Sequence, residues 1–401
     1  MNSRRPVNST VRLLIVGNGL SPALVQHAKT TMRLLLLILI FALTSVACSA
    51  QTPSASALFP IEIKGKHGYI DSSGKIVIRP QFDDAWRFSE GLAPVLVDDK
   101  WGFIDQTGTI VIAPQFFEVM PFKEGLALVG AFFKPGPINN RVGNYGYIDH
   151  TGHFAIAPQF GVAFDFSNGL ARIQMEDYKD GYIDKSGKVV FWEKRLTEDF
   201  SNNLALFKTN SNMPDSKTGY LDLTGHEAIS PIFDWGETFS DGLACVSQNK
   251  KAGFIDTKGN VVIPFRFESC RGFSEGLAAV MTGGKWGYVD KTGKLIIEAG
   301  FADAEKFSDG VAIVRVLSAS ETPRQEQRYK SGNNIVSVMP GKFGVIDRTG
   351  KIILPTKFVQ LGNFANGLTW VNLGQDYIVH GDAAHWGYIN KAGEFVWTSL
   401  N

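Results

Sequence analysis

Residues 100–128 read K-W-G-F-I-D-Q-T-G-T-I-V-I-A-P-Q-F-F-E-V-M-P-F-K-E-G-L-A-L, and variants of this stretch recur along most of the chain. Two glycines mark each copy. One follows the aromatic residue, as Gly102 does, and the other precedes the leucine, as Gly125 does. Self-similarity at a period of about 34 residues is typical of an array whose units each bury an apolar face against a neighbour. The repeat therefore decides the fold.

We count nine units, of which eight are complete and the last is cut short. They start near residues 67, 101, 145, 180, 218, 252, 286, 343 and 386. The array accordingly spans 66–401, and the stretch 51–65 is predicted to be a linker that joins it to an N-terminal segment, residues 1–50.

Each unit contains short β-branched and aromatic runs that are separated by turn residues. Asp105 and Gly108, like Asp290 and Gly293, bound a turn that suits a hairpin with a left-handed glycine. The proline of the following I-x-P-x-F run lacks a donor and ends the next strand. Each repeat is therefore predicted to be a three-stranded antiparallel meander.

The tryptophan-glycine pair falls inside a strand, where glycine weakens pairing unless another group approaches closely. We expect the aromatic ring of one unit to lie over the glycine of a neighbouring strand, which makes these pairs structural. The pairs with tryptophan are Trp101 and Gly102, Trp286 and Gly287, and Trp386 and Gly387.

The predicted fold is an all-β tandem array that is curved or closed into a propeller-like ring. Twisted sheets that pack face to face bend the array, and closure hides the strand edges at its two ends. An open β-solenoid or superhelix is the alternative.

Long insertions fall in one connection of the unit, the hairpin before the tryptophan-glycine strand, at 132–144, 317–342 and 373–385. Equivalent hairpins of a regular array project from the same edge, which becomes the candidate working surface. Cheap tolerance of longer hairpin tips explains the same pattern without function. The insert 318–334 is polar enough to order only on a partner, and its Tyr329 is a candidate binding residue.

The N-terminal segment carries an export signal. Residues 32–50 have a basic start, an apolar run and then small residues, which is typical of a secretory signal peptide. Cys48 follows S-V-A, which resembles the lipobox of bacterial lipoproteins; cleavage after Ala50 is the alternative. The protein is thus expected to be a periplasmic or outer-membrane lipoprotein, or secreted. Residues 1–31 either extend the signal or precede the start that is used.

Two cysteines remain beyond the signal, Cys245 and Cys270. An oxidising compartment permits a disulfide between them. Their different positions in adjacent units instead favour Cys270 as a small buried side chain, and the sequence leaves both readings open.

Charge and motifs narrow the function. A net charge of +1 among 401 residues offers no field for nucleic acid, and no nucleotide-binding, metalloprotease or nucleophile-elbow motif occurs. No cofactor or metal is expected: His150 and His153 flank a turn, and His380 and His385 lie in an insert without a third ligand. His380 and His385 remain candidate binding residues, together with Trp192 in the irregular fourth unit.

The residues K-W-G-F-I-D at 100–105, K-W-G-Y-V-D at 285–290 and the F-S-E-G-L-A segments at 88 and 273 resemble the WG (or KWG) repeat of bacterial envelope and secreted proteins. The resemblance implies a non-catalytic binding or scaffolding module for a protein or glycan of the envelope, and the family offers no shared catalytic residues. A hydrolase of envelope polysaccharide is the alternative, because glycosidases need only two placed carboxylates. Its candidates are Glu193, Glu198, Asp376 and Asp382.

Overall fold

The computed structural model describes residues 57–135, 141–175, 179–210, 213, 215–316, 327–331, 334–338, 342–372 and 386–399. Residues 56–401 form one compact unit, and every regular element described in it is a β-strand. Within these ranges no helix has the length and apolarity that a membrane crossing requires.

Nine small antiparallel sheets, counted over the described residues, stand in a ring and make a β-propeller. The predicted propeller-like closure is thereby confirmed, and the open solenoid is not formed. We number the sheets as blades 1 to 9 in chain order.

Blades 1 to 3 contain β1 (Phe59–Ile63), β2 (Lys66–Ile70) and β3 (Ile76–Phe82); β4 (Asp84–Ala85), β5 (Ala93–Val97), β6 (Lys100–Ile104) and β7 (Ile110–Phe116); β8 (Glu118–Val119), β9 (Ala127–Pro135), β10 (Arg141–Ile148) and β11 (Phe154–Phe160). Blades 4 to 6 contain β12 (Val162–Ala163), β13 (Leu170–Gln174), β14 (Asp180–Asp184) and β15 (Val189–Trp192); β16 (Leu196–Thr197), β17 (Ala205–Lys208), β18 (Thr218–Leu221) and β19 (Glu227–Phe233); β20 (Trp235–Gly236), β21 (Leu243–Gln248), β22 (Lys251–Asp256) and β23 (Val261–Phe267). Blades 7 to 9 contain β24 (Ser269–Cys270), β25 (Leu277–Thr282), β26 (Lys285–Asp290) and β27 (Leu295–Phe301); β28 (Asp303–Ala304), β29 (Val311–Val316), β32 (Lys342–Asp347) and β33 (Ile352–Phe358), with the inserted hairpin β30 (Gln327–Ser331) and β31 (Asn334–Val338); β34 (Leu368–Asn372), β35 (Trp386–Asn390) and β36 (Phe395–Thr398).

Blades 2 to 8 have four strands, one more than the predicted meander. The additional first strand is only two residues long, such as β4, and so carries no period-2 pattern that a sequence reading detects. Blade 9 keeps a single bridge in its place, between Leu361 and Val371. Blade 1 starts with β1, inside the stretch 51–65 that was expected to be a linker; β1 pairs with β2 and packs its apolar residues in the core.

The D-x-[TS]-G turns behave as predicted. Asp105 Oδ1 accepts hydrogen bonds from the Thr107 amide at 2.9 Å, the Thr107 hydroxyl at 2.6 Å and the Thr109 amide at 3.0 Å. Gly108 has a φ of 88°, which favours glycine. The Thr107 hydroxyl contributes most to lowering the pKa of the Asp105 carboxyl. In blade 9, Asn390 makes the corresponding amide bonds with its side-chain oxygen.

The glycine of the tryptophan-glycine pair is required for a different reason from the one expected. A Cβ on Gly287 would stand 2.5 Å from the Ile297 carbonyl oxygen and 2.8 Å from the Ala299 amide nitrogen. The close neighbour is thus the backbone of the fourth strand in the same blade, where β27 bulges, and not an aromatic ring of another unit.

Adjacent blades are joined through the F-x-x-G turn that follows the first strand. Phe166 packs against Tyr147 of the preceding blade with ring centroids 4.8 Å apart, and the Tyr147 hydroxyl donates to the Phe164 carbonyl at 2.6 Å. Ser167 Oγ donates to the Phe200 carbonyl of the following blade at 2.6 Å. Because these turns bond to one another in series, their edge of each sheet faces the middle of the ring.

A charge pattern accompanies these contacts. Wherever the residue before the turn glycine is acidic, the next blade carries a basic residue after its turn aspartate or asparagine, such as Lys185 at 3.3 Å from Glu124. The other acid and base pairs are Glu90 with His150, Asp241 with Lys291, Glu275 with Arg348, and Asp309 with Lys391. Where the residue before the turn glycine is instead an asparagine, the residue after the turn aspartate of the next blade is uncharged. These pairs are Asn168 with Leu223, Asn202 with Thr257, and Asn366 with Ser72. Exposed pairs stabilise weakly, so the pattern favours the correct neighbour more than it strengthens the ring.

Cys245 of β21 and Cys270 of β24 form a disulfide, with Cα atoms 5.9 Å apart. It joins blade 6 to blade 7. The reading of Cys270 as a small buried thiol is therefore wrong in its chemistry, although both cysteines are buried.

Candidate binding site at the ring closure

The ring closes where blade 9 meets blade 1. The rings of Phe59 and Tyr388 lie 5.4 Å apart, and the Tyr388 hydroxyl donates to the Pro60 carbonyl at 3.0 Å. These residues share one core cluster with Leu368 and Ile70. The closure is therefore made by side-chain contact across the two ends of the array.

Blade 1 differs from blades 2 to 8 in its number of described strands. Over the described residues its sheet has three strands in the order β1-β2-β3, and β1 takes the place of the second strand of the other blades. A cavity of about 710 Å³ opens between blades 9, 8 and 2 at this position. Its volume is in the range of small-molecule and peptide side-chain sites.

The cavity has an aromatic wall and a polar rim. The wall consists of Phe364, Trp370, Trp386 and Tyr388, all from blade 9. The rim consists of Gln360, Asn363 and Asn372 from blade 9, Ser308 from blade 8 and Arg87 from blade 2. Such a lining gives apolar area for affinity and a few hydrogen-bonding groups for orientation.

Local sequence explains the wall. Trp386 and Tyr388 are two positions apart on β35 and so share the face that looks toward blade 1. Gly362 stands at the position that Trp86 takes in blade 2, and the Trp370 ring occupies the space that this glycine leaves. A Cβ on Gly362 would stand 2.0 Å from Trp370 Nε1. Glycine is thus needed here to seat the tryptophan.

The site is cationic at one corner. The Arg87 guanidinium lies 5.8 Å from the centre of the Phe59 ring, and among the described residues it makes no ion pair with a carboxylate. Burial raises the pKa of Tyr388 to about 12, which keeps its hydroxyl protonated at neutral pH. The aromatic wall therefore carries no negative charge at neutral pH.

The lining offers little for proton transfer. None of its described residues is a carboxylate or a histidine, and the described part of the chain has no cluster of three metal-ligating side chains. The arrangement suits binding of an apolar or amphipathic group.

The residues that sequence analysis selected are only partly gathered here. Trp386 lines the cavity, whereas Trp192 lies on blade 4 with 49% of its surface exposed. Tyr329 lies in the inserted β30, of which only the backbone is described. Cys48, His380 and His385 lie outside the described residues.

The other two tryptophans of the tryptophan-glycine pairs lie within the blades as predicted. Trp286 is buried in the contact of blades 7 and 8, and Trp101 is half-buried between blades 2 and 3. His150 stacks on Phe122 at 4.2 Å between ring centroids and lies 3.4 Å from Glu90. Glu193 is held by Arg195 through two bonds, of 2.9 and 2.8 Å.

Sequence reasoning missed Arg87, Trp370, Tyr388 and Phe364 as lining residues. Phe364 and Tyr388 belong to repeat positions that are filled by buried residues in other blades, such as Phe122 and Tyr147. The signal that was available is a count: the chain has nine tryptophan-glycine-type positions but only eight F-x-x-G-type turns, so the junction of blades 9 and 1 departs from the repeat.

These features define a nine-bladed β-propeller, counted over the described residues, with a cavity where its ends meet. The model of the WG containing repeat matches residues 68–101, 101–130, 145–178, 219–251, 253–286, 286–317 and 343–377. The chain belongs to this family.

Solved structures are similar to this chain at low identity. A crystal structure of the eukaryotic initiation factor is 9% identical, with a TM-score of 0.57 over 86% of this chain and 96% of that one. BamB from Moraxella catarrhalis is 13% identical, with a TM-score of 0.37 over 73% of this chain and 94% of that one. The first likeness supports the fold alone. No curated protein matches the sequence.

Proposed function

We propose that this protein is an exported, non-catalytic binding module that holds a protein or glycan partner at the bacterial envelope. The cavity between blades 9, 8 and 2 carries the proposal, because it combines a wall of four aromatic rings with hydrogen-bonding groups on a rigid scaffold. The inserts at 132–144, 317–342 and 373–385, which were expected to form a working edge, lie partly or wholly outside the described residues.

Export is supported by two features of the chain. Residues 32–50 have the pattern of a secretory signal peptide. The Cys245–Cys270 disulfide suits an oxidising compartment outside the cytoplasm. Mass spectrometry of the mature N-terminus tests this part: an acylated Cys48 indicates a lipoprotein, a free Gln51 a released protein, and an intact residue 1 in the cytoplasm contradicts export.

The carboxylates considered for a hydrolase do not favour one. Burial is the largest single influence on the pKa of the Glu193 carboxyl and raises it. The hydrogen bonds and the charge of Arg195 act in the opposite direction, and the net result is a lowered pKa. A general acid needs the opposite shift. Asp376 and Asp382 lie outside the described residues. We therefore propose binding without turnover.

Recovery of envelope components on the immobilised full chain tests binding. Arg87→Ala removes the exposed cation of the cavity, and Trp370→Ala removes part of the wall. Trp192→Ala is the matched control, because this exposed tryptophan lies on blade 4. We expect at least a tenfold loss of recovery for the cavity variants, equivalent to about 1.4 kcal/mol. Equal recovery by all three variants contradicts the cavity as the binding site.

A further inference from the structure

The link from the fourth strand of one blade to the first strand of the next has two variable positions. They are the second-to-last residue of the fourth strand and the first residue of the following strand. In the link from blade 5 to blade 6 they are Ile232 of β19 and Trp235 of β20. The other seven links carry Gln81 with Asp84, Gln115 with Glu118, Gln159 with Val162, Lys194 with Leu196, Arg266 with Ser269, Gly300 with Asp303, and Lys357 with Gln360. Each of those has at least one polar or charged side chain, so only the link of blades 5 and 6 has two large apolar residues.

Both of these apolar side chains are open to solvent. Ile232 is 54% exposed and Trp235 is 40% exposed. Three residues of chain span at most about 11 Å, so the two belong to one patch, which we call the link patch. It lies at the edge of the ring where second strands turn into third strands, because Phe233 pairs with the first residue of β18 and Trp235 pairs near the end of β21.

Trp235 is not needed to hold the blades together. Acidic residues at its position in other blades make bonds within the ring. Glu118 accepts from the Tyr145 hydroxyl at 2.6 Å, and Asp303 accepts from Arg271 at 3.0 Å. Over the described ranges, the Trp235 side chain makes no hydrogen bond and no ring contact. Such an exposed tryptophan suits an interface, where tryptophan contributes strongly to binding.

Two lysines stand beside the link patch. The turn that joins β21 to β22 places Lys250 and Lys251 next to the residue that pairs with Trp235. Both lysines are exposed, and within the described part of the chain neither makes an ion pair. The carboxylate of Asp234 is already bound by Lys217 at 2.5 Å. The patch is therefore bordered by positive charge that no carboxylate neutralises.

Lys250 has a backbone conformation that lysine disfavours. Its φ is 62°, and the corresponding turn residues of blades 1 and 7 are Gly65 and Gly284, with φ of 74° and 69°. A residue other than glycine in this region is a starting point for a hypothesis of function. Because glycine fits this turn better, the charge of Lys250 accounts for its presence and the turn does not.

We propose that the link patch is a docking surface for a partner protein that presents an apolar side chain flanked by Asp or Glu. The apolar side chain packs on Ile232 and Trp235, and the carboxylates pair with Lys250 and Lys251. Charges at the border of an interface speed association and exclude partners of the wrong charge. This surface belongs to blades 5 and 6 and goes beyond the cavity of blades 9, 8 and 2.

An anionic membrane surface is the competing partner, because tryptophan and lysine also suit the interface of a bilayer. A flat bilayer against this edge of the ring also reaches blade 2. The turn of blade 2 that corresponds to the lysine turn carries exposed Asp98 and Asp99, and these carboxylates repel anionic lipid. A protein segment contacts blades 5 and 6 without meeting them, so the charge pattern favours a protein.

A phage-displayed library of short random peptides is the probe. It is panned on the immobilised full chain and counter-selected on the double variant Ile232→Gln and Trp235→Asp, which has the residue types of Gln81 and Asp84 in the first link. Counter-selection removes peptides that bind elsewhere on the ring. We expect enrichment of sequences with an apolar residue beside Asp or Glu. By fluorescence anisotropy, a synthetic enriched peptide should bind the double variant at least about tenfold more weakly than the full chain.

Two single variants separate charge from folding. Lys250→Gly introduces the residue that the turn favours, so peptide binding should weaken severalfold while the urea midpoint stays equal or rises. Ile110→Gln is the matched control, because Ile110 is 47% exposed at the opposite edge of the ring, and this variant should leave peptide affinity unchanged. Absence of any enriched sequence, full peptide affinity in Lys250→Gly, or equal losses in the two variants overturns the inference.

Sedimentation with phosphatidylglycerol vesicles tests the competing partner. Vesicle binding that the double variant loses would assign the link patch to a membrane and overturn the protein partner. Absence of vesicle binding, together with the enriched peptide, supports the protein. The recovery experiment of the proposed function depends on Arg87 and Trp370, which these variants leave intact, so failure of one proposal is distinguishable from failure of the other.

Discussion

Replacing Gly287 with alanine tests the close approach of strands that defines each blade. The added Cβ would lie 2.5 Å from the Ile297 oxygen and 2.8 Å from the Ala299 nitrogen, and both are backbone atoms of β27. The strand must therefore shift. Overpacking costs about 1–3 kcal/mol, and a distorted ladder bond adds about 1 kcal/mol. We expect the free energy of unfolding to fall by about 2–4 kcal/mol.

Gly300→Ala is the matched control in the same blade. Gly300 also lies in β27, but the nearest heavy atom to its added Cβ is the Glu298 oxygen at 4.0 Å. Alanine there reduces the entropy of the unfolded chain, which stabilises by about 0.4–1 kcal/mol. Urea unfolding followed by tryptophan fluorescence compares the two variants. Midpoints that agree with each other would refute the steric explanation of the repeat glycine.

Two further predictions concern the disulfide and the turn aspartates. The double variant Cys245→Ala and Cys270→Ala should lower the free energy of unfolding by about 3–4 kcal/mol, because the bond closes a loop of 25 residues; an unchanged urea midpoint contradicts this. Hydroxyl and amide donors lower the pKa of Asp105 and of its equivalents Asp71, Asp149, Asp184, Asp222, Asp256, Asp290 and Asp347. A carboxyl whose pKa is lower in the folded than in the unfolded chain stabilises the fold at pH values above its unfolded pKa, which is near 4. This stabilisation is lost as the pH falls through the pKa of the folded state. Stability should therefore decline below about pH 4, and less so in Asp105→Asn, since Asn390 shows that an amide oxygen accepts the same bonds; equal stability at pH 5 and pH 3 contradicts the argument.

Local features of the fold were predictable because they depend on neighbours in the sequence. The aspartate-glycine turn at Asp105 and Gly108 is specified within four residues. The prediction that Pro114 ends the next strand was wrong, because β7 continues through it to Phe116, which pairs with Trp101 beyond a bulge. The role of Gly102 was predicted as a close approach. The group that approaches Gly102 was predicted wrongly. An aromatic ring and a bulged backbone both require glycine at this position, so the sequence does not distinguish them.

The candidate site was less predictable. Arg87 and Trp386 are about 300 residues apart in the sequence, and nothing in either repeat unit distinguishes a lining residue from a core residue. Trp192, Tyr329, His380 and His385 were selected because they break the repeat pattern. The cavity is instead lined by residues of blades 2, 8 and 9 that occupy regular repeat positions.

The sequence by itself determined the unit, since each hairpin, turn and strand end is set by residues a few positions apart. Only the tertiary structure decided that the units close into a ring and that Pro60 meets Tyr388 across 328 residues. Closure depends on the small rotation between successive sheets summed over nine copies, and no single repeat encodes that sum. The cavity at the junction follows from the closure, so it becomes visible only when the two ends are brought together.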